Sequence, residues 1–278
     1  AAVSNIFLDI FFVVILKMGI IGAALATDIS QLLSCIFILG FLMRSQESYH
    51  VRLRDIRFYD NLLGRILKIG LPTGFQNIVI SISNVIVQSS VNSFGAVVMA
   101  GYAAYVKVDG FNILPVLSFS MAATTFVGQN YGAGKPKRIW QGIKASVLMM
   151  TIYSAFMFGV LMLGARTFAL LFVDPVEWEI LKDTELFLHI SVSFFPVLGL
   201  LCILRYSIQG AGFTNLAMLS GVSEMIARIM VSLYAVPILG YLAVCFGDPT
   251  AWIFAVIFLI PAFIYVYGRI KRMPPQEW

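Results

Sequence analysis

Long apolar stretches, separated by short polar and basic connections, run the length of the chain. A helix rises about 1.5 Å per residue, so roughly twenty apolar residues cross the ~30 Å hydrocarbon core of a bilayer. The pattern predicts eight helices, near residues 1–16, 20–43, 66–92, 97–127, 143–165, 185–208, 217–240 and 251–268. None of the runs alternates with the two-residue period of a membrane strand. The reading is an all-α membrane protein, a polytopic transmembrane helix bundle.

Composition agrees. Of 278 residues, 60% are hydrophobic and 12% charged, against about 25% charged in a soluble domain. The isoelectric point near 9.1 could suggest nucleic acid, but the basic residues cluster in connections. Arg44, Arg52, Arg54, Arg57, Arg65 and Lys68 fall in one, Lys135, Lys137, Arg138 and Lys144 in another, and Arg269, Lys271 and Arg272 at the C-terminal end. Only Lys17, Arg166 and Lys182 lie on the opposite side, where the loop 166–184 is acidic. Alternation of eight helices and the bias of lysine and arginine toward the cytoplasm give one topology. It places 44–68, 129–144 and the C-terminal tail inside a cell (inner) membrane. The partners expected are the lipid bilayer and small molecules, with no nucleic acid. Cys35, Cys202 and Cys245 show no metal spacing. With no metal, no nucleophile–base pair and no paired carboxylates at depth, the chain is not read as an enzyme, and no cofactor is expected.

The chemistry lies in the polar residues inside the apolar runs. Lys107 and Asp109 sit in the run 97–127, where charge is costly in hydrocarbon and seldom kept without a partner or a task. That run would measure roughly 46 Å as a straight helix, and Gly110 and Pro115 offer places to bend or break. A helix period puts Tyr102, Tyr105, Asp109 and Asn112 on one face and Lys107 on another, so the two charges need different partners. A buried structural lock is one reading; a cation- or proton-binding carboxylate beside aromatic faces is the other. In the helix 66–92, Thr73, Asn77, Ser81, Asn84, Gln88 and Asn92 recur every three or four residues and share a face within about 100°. Gly70, Gly74 and Ser81 suit helix packing. The carboxamides Asn77, Asn84, Gln88 and Asn92 read as the wall of a cavity for solutes or ions. Glu224 and Arg228 are four apart on one helix, in the orientation that favours a structural intramembrane pair. The loop Gly128–Lys135 lacks the spacing and the Ser/Thr of a phosphate loop and reads as a turn. Trp140, Trp252 and Tyr241 fall near helix ends, as interfacial aromatics do.

Val3-Ser4-Asn5 followed by Asp9 echoes Val222-Ser223-Glu224 followed by Arg228, a weak sign of duplicated units. On that reading residues 1–43 are the last two helices of one unit, the first of them cut short. Residues 44–65 are a cytoplasmic linker, 66–272 a complete six-helix unit and 273–278 a tail.

The segments Gly70-Leu-Pro-Thr-Gly-Phe-Gln-Asn77, Val91-Asn-Ser-Phe-Gly95, Met99-Ala-Gly101, Lys107-Val-Asp-Gly-Phe111, Thr125-Phe-Val-Gly-Gln-Asn130 and Gly132-Ala-Gly134 occur in that order. Together they resemble the multidrug and toxic compound extrusion (MATE) family. Asn5–Asp9 and Gly22-Ala-Ala-Leu-Ala-Thr27 resemble the end of that family's N-lobe. The resemblance implies a two-lobe, twelve-helix architecture, of which this chain would supply the C-lobe and two N-lobe helices. It implies secondary active export of organic cations and other toxic compounds by antiport with H+ or Na+, with the lobes alternating in access. It also implies missing N-lobe helices in the complete protein. Some members carry a carboxylate in the first C-lobe helix that takes part in sodium coupling, and an aspartate in the helix that matches 185–208, the sixth of this chain. The region around Ile80 and Ser81 has none, nor does the sixth helix here, so the resemblance carries no such sodium site into this lobe. The alternatives are a lipid-linked oligosaccharide flippase of the same superfamily, which would need a strongly cationic cavity, and a non-functional truncated subunit.

Overall fold

The computed structural model describes residues 2–46, 50–52, 54 and 57–272, with 60 and 61 in backbone only. The chain divides into two units, residues 1–63 and 64–278, at a boundary inside the expected linker 44–65. That linker is described only in part, and the expected tail 273–278 lies outside the described residues.

In the first unit α1 (Ala2–Asp9) runs into a π-helical turn, Ile10–Ile15, and α2 spans Gly19–Arg44. Asn5 Nδ2 donates to Thr27 Oγ1 at 3.5 Å across the pair.

The second unit begins within α3 (Asp60–Asn92) and continues through α4 (Ala96–Gly132), α5 (Pro136–Ala169), α6 (Trp178–Ser193), α7 (Phe195–Gly210) and α8 (Thr214–Met230). A π-helical turn, Val231–Ala235, leads to the short α9 (Val236–Leu239) and α10 (Tyr241–Cys245), and α11 (Gly247–Lys271) closes the unit. No strand occurs among the described residues. Among the described residues six helices are long and apolar enough to cross a membrane, the bent pair α6–α7 makes a seventh if it is one span, and Ala2–Ile15 is a shorter apolar helix. These lengths and apolar surfaces make the chain a multi-pass membrane protein, an all-α bundle.

Two of the bends differ from the sequence pattern. The helix predicted over 185–208 is two helices bent by 53°. Pro196 in the first turn of α7 has no N–H to continue the α6 ladder. Gly110 and Pro115 do not break α4, which runs through both. The weak repeat gains a structural counterpart: a π-helical turn follows Asp9 closely and another follows Arg228 closely. Such turns are rare.

In the second unit α4 packs on α5, α6 and α7, while α11 packs on α8 and α7. Phe187, Phe195, Leu201, Ile203 and Leu259 are fully buried among these helices. The α4–α7 crossing is close because residue 210 is glycine: a Cβ there would lie 2.5 Å from the Thr124 carbonyl oxygen. Thr124 Oγ1 donates to the Tyr206 carbonyl at 3.0 Å beside it. Helices lacking a hydrophobic driving force between them gain from such close contacts and interhelical hydrogen bonds. Gly95, at φ 92°, turns the chain between α3 and α4.

The α4–α5 and α7–α8 turns share one end of the unit. The end of α11 returns there, where the Trp140 and Tyr267 rings meet at a tilt, 5.2 Å between centroids. Trp252 is buried edge-on against Phe195.

Candidate functional site

A cavity of about 470 Å³ opens between α3, α4, α7, α8 and the start of α11. Of the candidates read from the sequence, Asn84, Gln88, Tyr102, Tyr105 and Asp109 line it. Their positions follow from the helix period: Asn84 and Gln88 are one turn apart on α3, and Tyr102, Tyr105 and Asp109 fall on one face of α4. Tyr102 and Tyr105 have ring centroids 5.8 Å apart. Tyr105 is locked against Phe187 at 4.0 Å, and its hydroxyl is 2.9 Å from Ser191 Oγ. Asp109 is half-buried and has no ion-pair or hydrogen-bond partner among the described residues.

The remaining candidates lie elsewhere. Asn77 and Asn92 are exposed, and Asn92 Oδ1 accepts from Gln88 Nε2 at 2.9 Å. Lys107 is exposed, its Nζ 5.5 Å from the Phe172 ring. It forms no pair with Asp109. Asn112 is buried behind the cavity, where its carbonyl accepts from Tyr153 at 2.8 Å.

The carboxamide stripe of α3 therefore contributes only its middle. The polar residues off the stripe face the unit's interior instead. Gln76 Oε1 accepts from Gln209 Nε2 at 2.7 Å, and Ser83 Oγ accepts from Arg228 Nη1 at 2.9 Å. Ser90 Oγ donates to Ser232 Oγ at 3.0 Å. Gln76 is close-packed against Gly221, where a Cβ would lie 3.1 Å from its Cγ. These contacts tie α3 to α7, α8 and the turn after it.

The expected Glu224–Arg228 pair does not form. Tertiary partners displace it. Glu224 Oε1 accepts from Arg205 Nη2 of α7 in a buried ion pair, and Arg205 Nε also donates to Ser220 Oγ at 2.9 Å. Arg228 reaches α11, where Asp248 Oδ1 accepts from Nε at 3.0 Å and lies 2.9 Å from Nη2 in an ion pair. All four of these charged residues line the cavity with Asp109. Asp248 was not recognised from the sequence because α11 was expected to begin at 251. The signal was present in the order Asp248-Pro249, an acid followed by proline in the first turn of a helix.

The arrangement is a cavity with two internally neutralised arginines, one uncompensated carboxylate, two tyrosine faces and two carboxamides. Tyrosine faces and an unpaired carboxylate attract cations, while the buried pairs hold the surrounding helices.

A family model described as MatE matches residues 72–234. The probable multidrug resistance protein YpnP of Bacillus subtilis is 27% identical over 275 residues, covering 98% of this chain and 60% of YpnP. The multidrug export protein MepA of Staphylococcus aureus (strain N315) is 25% identical over 222 residues, covering 78% of this chain and 48% of MepA. The chain thus spans about 60% of the length of one curated relative and about half of the other. Among solved structures, a crystal structure of MATE in complex with MaL6 aligns with a TM-score of 0.84 at 22% identity, over 96% of this chain and 60% of that one. A MOP superfamily transporter from Pyrococcus furiosus aligns with a TM-score of 0.85 at 22% identity, over the same shares. It is described as having a binding pocket of reverse polarity that suggests a different function. At these identities the structures establish a shared fold.

Proposed function

The chain belongs to the MatE family, whose model covers residues 72–234, and on that premise we propose that it works within a secondary active exporter of organic cations. Residues 66–272 serve as one six-helix lobe and residues 1–43 as two helices of the other. The lobes alternate in access across the cell membrane, with the basic connections on the cytoplasmic side, and export is driven by inward movement of H+ or Na+. The names of the relatives, a probable multidrug resistance protein and a multidrug export protein, support this reading.

One observation carries it. Asp109 stands unpaired in a cavity whose other charges cancel in two arginine–carboxylate pairs. An organic cation placed there meets the carboxylate and the Tyr102 and Tyr105 rings, with Asn84 and Gln88 as adaptable hydrogen-bonding groups. Binding of H+ or Na+ at the same carboxylate cancels the charge that holds the cation. That competition supplies the differential affinity an exchange cycle needs. A flippase for a lipid-linked pyrophosphate would require free cationic side chains, and here Arg205 and Arg228 are both engaged by carboxylates.

The test is cationic dye efflux by cells expressing the complete protein with Asp109→Asn. Efflux is expected to fall to background with membrane abundance unchanged. Efflux at the unmodified rate would refute the role of Asp109.

A further inference from the structure

The sign of the cavity's charge depends on a residue outside the face that presents Asp109. Five ionic side chains line the cavity: Asp109, Arg205, Glu224, Arg228 and Asp248. In the Arg205–Glu224 pair both side chains are 7% exposed or less. The Arg228–Asp248 pair is different. Asp248 comes from another helix, is the more open partner at 16% exposure, and meets the guanidinium through one oxygen, by a hydrogen bond from Nε and an ion-pair contact with Nη2. Arg228 has a second anchor, Ser83 on α3, at 2.9 Å. Loss of the Asp248 charge would therefore not release Arg228 from the cavity wall. It would leave a fixed guanidinium facing the same space as Asp109.

We propose that Asp248 is a positioning and specificity-determining residue that sets which sign of organic ion the cavity accepts, by cancelling Arg228 and leaving Asp109 as the net charge. This rests on the cation-export reading above and extends it. With Asp248 in place the lining carries one excess negative charge. Without it the lining is neutral, and without both Asp248 and Asp109 it is positive.

The experiment uses two lipophilic ions of nearly the same shape and opposite charge, tetraphenylphosphonium and tetraphenylborate. Their equilibrium binding is measured on the purified complete protein. Unmodified protein is expected to prefer the cation. Asp248→Asn is expected to weaken cation binding about tenfold or more, the scale of one unit charge several ångströms away at an effective dielectric near 20. The double variant Asp109→Asn with Asp248→Asn is expected to prefer the anion. Arg228→Gln with Asp248→Asn removes the whole pair, keeps the excess charge on Asp109, and is expected to regain the cation preference. A merely structural ion pair would not give that recovery: both Asp248 variants would lose binding of both ions together, and that result would overturn the proposal. An unmoved cation-to-anion ratio in Asp248→Asn would also overturn it while leaving the export reading standing. Unmodified protein that prefers tetraphenylborate, or binds neither ion, would overturn both.

Discussion

Replacing Glu224 by glutamine is expected to cost more stability than replacing Asp248 by asparagine, although each change takes one carboxylate from one arginine. The difference lies in what surrounds each guanidinium. Arg205 and Glu224 are 6% and 4% exposed. Removing one partner of such a buried pair costs about 3–5 kcal/mol, because the other charge stays desolvated and uncompensated. Arg205 keeps its 2.9 Å hydrogen bond to Ser220, and glutamine keeps a carbonyl acceptor, so the lower end, about 3 kcal/mol, applies. Around 200 residues, each kcal/mol moves the midpoint by about 2–4 °C, giving a fall of roughly 6–12 °C. Arg228 keeps Ser83 and faces the open cavity. The guanidinium is as buried as that of Arg205, but its carboxylate is the more open partner at 16%, and the loss for Asp248→Asn is expected near the lower end for a hydrogen bond to a charged group, about 1.5 kcal/mol. Thermal unfolding of the purified protein, followed by tryptophan fluorescence, measures both. Replacing Arg205 and Glu224 together by methionine should recover most of the loss, since apolar replacement of a whole buried pair is often neutral. Equal midpoints for the two single variants would refute the distinction between a pair with a buried carboxylate and one with a more open carboxylate.

Other outcomes follow from the same geometry. Gly210→Ala places a Cβ against the Thr124 backbone and should lower stability by about 1–3 kcal/mol, as overpacking does. Gly70→Ala meets nothing within 4 Å and should leave the unfolding midpoint unchanged. Asn84→Ala and Gln88→Ala should each weaken organic-cation binding severalfold, whereas Asn77→Ala, on the same stripe but outside the cavity, should not; equilibrium binding distinguishes them. Lys107→Gln should leave cation export intact in a dye-efflux assay, because its ammonium group lies over Phe172 rather than in the cavity.

Much of the fold was legible in the sequence because bilayer crossing demands long apolar runs, and those runs are conspicuous. The helix break at Phe194 was less so. Pro196 was visible, but a proline inside an apolar run is often tolerated, as Pro115 within α4 shows. The site was legible in part for a related reason. Helical periodicity assigns residues to a face, and it grouped Tyr102, Tyr105 and Asp109 correctly. It does not say which neighbour that face meets. On α3 the conspicuous stripe from Asn77 to Asn92 contributes two residues to the cavity, while the less conspicuous Gln76 and Ser83 make the interior contacts. Local spacing also suggested Glu224–Arg228. Two closer partners from α7 and α11 won, because a buried guanidinium gains more from a well-placed tertiary carboxylate than from a side chain one turn away on its own helix. Asp248 lies outside the helix that the apolar pattern predicts over 251–268, and only the earlier start of α11 puts it in a helical first turn.

The most direct test of the central claim is where an organic cation sits in the complete protein. Tetraphenylarsonium carries an arsenic atom whose anomalous scattering marks its position in a crystal. The account predicts a single strong peak in this cavity, within about 6 Å of a tyrosine ring centroid, the reach of a cation–π contact, at Tyr102 or Tyr105 and beside the Asp109 carboxylate. A peak against Arg205 or Arg228, or one outside this cavity with none inside it, would contradict it.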